Sequence, residues 1–102
     1  MKNEIEPLSC KLTTAELQTR KATVIDDLRM MVEDRVELHN GVRYTFADTD
    51  STFEKLVTFI KAERLCCDFF TFTLIAGEPG KLLLELTGPE GVKEFISEEV
   101  GF

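Results

Sequence analysis

At 102 residues, 43% of them hydrophobic and 30% charged, the chain has enough apolar material for one core and too little length for two, so residues 1–102 read as a single domain. Its formal net charge of −7, from 19 acids against 12 bases, argues against nucleic acid and anionic membrane surfaces as partners, because both are gripped by clustered Lys and Arg. No stretch approaches the ~20 apolar residues that span a bilayer, the first residues have no signal-like apolar run, and three cysteines are an odd number, which together predict a cytoplasmic protein with reduced thiols.

Residues 8 to 12 are candidates for a short edge strand. Leu12-Thr13-Thr14-Ala15-Glu16-Leu17 then has the form of a helix start, with Thr13 as cap, Glu16 as the capping-box acid and Leu12 against Leu17 as staple. The helix is predicted to reach about Glu33. Leu17, Val24, Leu28 and Met31 mark its packing face, Ile25 and Val32 widen it, and Glu16, Arg20, Lys21, Asp27 and Arg29 fall mostly elsewhere.

Val36 to Phe46 carries a hairpin signal around Asn40-Gly41. A two-residue loop there would pair Leu38 with Arg43, setting apolar beside polar residues. The three-residue loop His39-Asn40-Gly41 is therefore preferred, with Leu38 opposite Val42, Val36 opposite Tyr44, and Gly41 in the left-handed position. A second helix follows from a Ser51/Glu54 capping box, with Phe53, Leu56, Val57 and Ile60 on its apolar stripe and an end near Cys67 or Asp68.

Phe70–Leu74 and Leu82–Leu86 alternate as two further strands, Phe70, Phe72 and Leu74 sharing a face with Leu82, Leu84 and Leu86. A short third helix starts at Thr87-Gly88-Pro89-Glu90, with Pro89 in its first turn. The predicted architecture is a two-layer α+β sandwich: a four-stranded antiparallel sheet from two hairpins, two main helices on one face, in the order α-β-β-α-β-β-α. Any sheet face left open opposite the helices would favour a homodimer.

Chemistry concentrates at Glu63, Cys66 and Cys67, with Cys10 as a distant fourth candidate. A thiolate is a nucleophile and a soft metal ligand, and on a helix Glu63 has both thiols within reach at i+3 and i+4. Continuing the stripe of the second helix lands on Glu63, Arg64 and Cys67, and places Cys66 toward the flank of Phe59 and Ala62. A carboxylate there must lie at the layer's edge, pair with a cation or hold a ligand. Adjacent helical cysteines diverge by about 100°; they reach one ion only if the helix frays at Cys67 or a third ligand draws them in. Such a site suits Cu, Hg or As at least as well as tetrahedral Zn, for which no full ligand set is evident.

Plain packing is the competing explanation, because free cysteine is among the most buried residue types. On that reading the chain is a non-catalytic interaction or small-ligand-binding module whose cysteines are structural. Thiol redox chemistry ranks last. The lone histidine, His39, sits in a hairpin loop, and the negative end of a helix dipole disfavours a thiolate. No catalytic residue is assigned, and the chain reads as a binding domain rather than an enzyme. Phe69, Phe70 and Phe72 read as core rather than as a base-stacking platform.

The run Glu63-Arg64-Leu65-Cys66-Cys67-Asp68-Phe69-Phe70-Thr71-Phe72-Thr73-Leu74, followed by Leu86-Thr87-Gly88-Pro89-Glu90-Gly91, resembles a small family of uncharacterised bacterial proteins without an assigned activity; Cys10-Lys11-Leu12-Thr13 is also similar to it. In that family proline often follows the paired cysteines, where this chain has Asp68. The resemblance implies that acid, thiols and cap belong together, and it implies no substrate.

Overall fold

The computed structural model describes residues 15–77 and 79–102, without the side chains of residues 16–18, 66 and 99. The proposed Thr13 cap, the strand at residues 8 to 12 and Cys10 lie outside the described residues.

Helix α1, Ala15–Met31, buries Val24, Ile25 and Leu28, the stripe its periodicity marks, while Met31 is half-buried. It stops two residues short of Glu33, because Val32 already belongs to strand β1, Val32–Leu38. The chain returns through His39 and Asn40 into β2, Gly41–Ala47. Helix α2, Asp50–Cys66, lies antiparallel to α1: Lys21 pairs with Glu63 near one end and Asp27 with Lys55 nearer the other. Its N-cap is Thr49 rather than Ser51. Extended backbone at Thr49 (φ −126°, ψ 156°) lets its Oγ1 accept from the Thr52 N–H at 3.1 Å.

Strands β3, Thr71–Ile75, and β4, Lys81–Thr87, complete a sheet of order β1-β2-β4-β3 with every neighbour antiparallel. A short helix α3, Val92–Phe95, runs on into a π-turn over Ile96–Val100. The element order is thus α-β-β-α-β-β-α, as the sequence pattern predicts. Pro89 lies in the bend before α3, ahead of the N-cap Gly91, and not in the first turn.

The alternation of β2 and β4 sends Val42, Tyr44, Phe46, Leu82, Leu84 and Leu86 to one face, where they meet Val24, Ile25, Leu28, Leu56 and Phe59 in a single buried cluster. Each such side chain contributes on the order of 1.5–3 kcal/mol on leaving water. Phe72 and Leu74 of β3 stand opposite Leu86 and Leu84 and join this face, as their alternation requires; Phe70 is buried just before the strand begins. The C-terminus closes the layer. Arg29 Nη2 of α1 donates to the Val100 carbonyl at 3.1 Å, and Phe102 sets its ring edge-on to Tyr44 with centroids 5.0 Å apart.

The first hairpin differs from both registers weighed above. Leu38 pairs with Gly41, Glu37 with Val42 and Arg35 with Tyr44, with a bulge between Val32 and Asp34. Gly41 is the reason. It opens β2 directly against β4, and a Cβ there would run into the Leu86 carbonyl, so the glycine serves close backbone approach and the turn falls on His39-Asn40. Charged residues of β1 consequently stand in core-facing rows, where the sheet's edge lets them reach solvent; Glu37 pairs there with Lys93 of α3 at 3.1 Å.

Candidate functional site

The interior of α2 is rotated about one position from its predicted stripe. Thr52, Leu56, Phe59, Ala62 and Glu63 are buried, Phe53 is exposed, and Val57 and Ile60 are half-buried. The i, i+4, i+7, i+11 spacing of Thr52, Leu56, Phe59 and Glu63 carries the buried stripe straight into the acid. Glu63 is fully buried, at 0% exposure.

Its counter-charge comes from α1. Lys21 Nζ stands 3.2 Å from Glu63 Oε2, and Lys21 is itself only 6% exposed. Sequence reasoning placed Lys21 off the packing face, although a signal was present: Lys21 lies three residues before Val24 and seven before Leu28, in line with the buried stripe. Of the three settings open to Glu63, the structure realises pairing with a cation. An apolar pair of similar size would hold two helices together without the desolvation of two charges, and this chain places those charges one turn before its paired thiols.

Helix α2 ends between the two cysteines. Cys66 is its last residue, and Cys67 leaves the helical region at φ −126°, ψ 74°, while its N–H still reaches the Glu63 carbonyl at 2.6 Å. Cys67 is buried, at 0% exposure, within the core cluster. The chain then turns through Asp68 and Phe69, with the Phe70 N–H donating to the Cys67 carbonyl at 3.3 Å.

Aromatic rings wall this turn. Phe69 packs on Phe70 and edge-on to Phe95 of α3, with centroids 4.9 and 5.0 Å apart, and Phe70 meets Phe72 at 5.5 Å. This is core packing, as the sequence suggests, and not an exposed stacking platform. Gly88 ties the following cap to it: a Cβ there would stand 3.0 Å from the Phe69 carbonyl oxygen and 2.9 Å from Val92 Cγ2. The Gly-Pro-Glu-Gly cap therefore packs against the turn that follows Cys67, at Phe69.

His39 is exposed in the first hairpin, where it lines an open pocket together with Gly88, Pro89, Glu90 and Gly91 of the cap. Among the described residues no group of three His, Cys, Asp or Glu side chains is arranged to hold a metal ion. An open groove of about 610 Å³ between α1 and α2 is lined by Thr19, Arg20, Thr23, Val24, Asp27, Lys55 and Thr58, a set that includes neither Glu63 nor Cys67. Among the described residues no helix is long and apolar enough to cross a membrane. No protein-family model, curated protein or solved structure matches the chain.

Proposed function

We propose that the chain is a binding domain for a thiophilic metal or metalloid ion, taken up by the Cys66 and Cys67 thiolates at the C-terminal end of α2. The observation that carries this reading is the end of α2 between the two cysteines. Two residues on a continuous helix diverge by about 100°; the non-helical backbone of Cys67 releases that constraint. A helix C-terminus disfavours a free thiolate but favours a cation, so a bound ion suits this position better than a bare nucleophile.

The buried Lys21–Glu63 pair supports the reading in a second way. With its charge balanced by Lys21, Glu63 orients and polarises the site from one turn back, leaving coordination to sulfur. Cys10 is the third sulfur in this proposal, completing the set for ions that prefer three thiolates. Zn, Cu, Hg and As are the ions to test.

Native mass spectrometry of the reduced protein with Zn(II), Cu(I), Hg(II) and As(III) provides the test. One ion per chain is expected, with one thiol proton displaced for each sulfur that binds. Uptake should vanish in Cys66→Ser/Cys67→Ser and weaken in Glu63→Gln. Absence of uptake, or equal uptake by the double variant, overturns the proposal.

One observation favours the structural reading of the same residues: Cys67 is sealed within the apolar cluster. Under that reading Cys67→Ala lowers stability by about 1–2 kcal/mol through lost packing, with no ion uptake by the parent chain.

A further inference from the structure

Among the described residues, all helices lie on one face of the sheet, and no helix covers the other. That open face is ordered in rows set by the strand registers. Its central row runs Val36, Arg43, Glu85, Thr73 across β1, β2, β4 and β3, and the next holds Asp34, Thr45, Leu83 and Ile75. Its charges are Asp34 on the edge strand β1, Lys81 at the start of β4 and, at the centre, a pair in which Arg43 Nε and Nη2 both bond Glu85 Oε2, at 2.9 and 2.7 Å.

Two features of that pair point outward from the chain. A guanidinium carries five N–H donors, of which this contact uses two, and Glu85 Oε1 receives no bond among the described residues. The pair is also partly shielded, Glu85 being 18% exposed. A second Arg–Glu pair arriving in the reverse order would fill the remaining donors and acceptor.

We propose that this face is the interface of a homodimer, with a two-fold axis running along the strands between β2 and β4. Rotation about that line lays β2 of one copy over β4 of the other at the same row. Each Arg43 then meets the partner's Glu85, and the two pairs close into a ring of alternating charge. An axis across the strands would instead set Arg43 on the partner's Arg43 and Glu85 on the partner's Glu85. Charge therefore selects one axis.

The same rotation lays Leu83 over the partner's Thr45 and Val36 over the partner's Thr73, and sets Asp34, on the edge strand, over the partner's Ile75. Sheets pack about 10 Å apart, within the combined reach of an arginine and a glutamate. Four strands about 4.8 Å apart and about 20 Å long give roughly 400 Å² in projection, and more in side-chain relief. That projection is about half of the ~800 Å² per partner of a standard interface and fits a weak dimer that dissociates on dilution rather than an obligate one.

Sedimentation velocity over about 1–500 µM chain, spanning the affinity range of interfaces of this size, tests the proposal. The parent chain should pass from monomer to dimer. Arg43→Glu places four acids in the ring and Glu85→Arg four bases, so each variant alone should remain monomeric across the range. Circular dichroism of each checks its fold. Mixed in equal amounts, the two should form a 1:1 heterodimer, because the acid introduced by Arg43→Glu then meets the base introduced by Glu85→Arg. Recovery on mixing cannot come from either chain's own stability. A monomeric parent, dimeric single variants, or no association on mixing overturns the proposal. Dimers joined edge to edge along β3 would ignore both charges and would appear as the second of these outcomes.

Discussion

Removing Lys21 should take a counter-charge away from a carboxylate inside the helical layer. Lys21 Nζ and Glu63 Oε2 stand 3.2 Å apart with both residues nearly out of water. At an effective dielectric of about 20, two unit charges at that separation attract by about 5 kcal/mol. Desolvation costs several kcal/mol for each ion, so the net worth of the pair against an apolar pair is near zero or negative. Its worth against a broken pair is large. Lys21→Met should lower stability by about 3–5 kcal/mol, a large share of the ~5–15 kcal/mol that holds a small domain together. Lys21→Met/Glu63→Leu should regain most of that loss, and the cycle completed with Glu63→Leu should show a coupling well above ~1 kcal/mol. Urea unfolding at neutral pH, followed by far-ultraviolet circular dichroism, measures all four variants. A loss under about 1 kcal/mol in Lys21→Met, or a double variant as unstable as the two single losses added, would refute the reasoning.

Other consequences follow from particular contacts. Gly41→Ala drives a methyl into the Leu86 carbonyl at the start of β2 and should cost about 2–4 kcal/mol, read by thermal unfolding. Burial pushes the Tyr44 hydroxyl above its ordinary pKa, the nearby Arg35 guanidinium drawing part of the shift back, and the hydroxyl makes no hydrogen bond among the described residues. The unfolded chain therefore loses this proton first, so stability should begin to fall as pH rises past about 10. Tyr44→Phe should remove that alkaline loss and leave neutral stability equal or higher by up to about 1 kcal/mol. Lys93 holds the Glu37 carboxyl below the usual glutamate range, with Arg35 contributing less. The tether from α3 to β1 is thus present at neutral pH and lost in acid as pH falls through the folded value; a carbon-detected titration of Glu37 should lose its downward shift in Lys93→Met.

The fold class was legible because periodicity is a local property. The stripe of Val24, Ile25 and Leu28, and the alternation of Phe72, Leu74, Leu82, Leu84 and Leu86, name helix and strand and the face each buries without knowledge of any partner. Glu63 and Cys67 were legible as neighbours for the same reason: an acid and a thiol four apart share a helix face wherever the helix is placed. Two local readings failed at helix starts, Ser51 for Thr49 and Pro89 inside the third helix, where adjacent polar or turn residues compete for one role.

Other features were decided only by what packs against what. Gly41 reads locally as a turn glycine, and only the backbone of β4 lying against it moves the turn to His39-Asn40 and sets the register of β1. Lys21 sits on a buried stripe that its charge argues against, and it is kept there by Glu63, forty-two positions along the chain and one helix away. Hydrophobic pattern is written residue by residue, so the sequence by itself determines which faces are covered. The partner that offsets a buried charge, or forces a glycine, exists only once two distant segments have met, and that belongs to the tertiary structure alone.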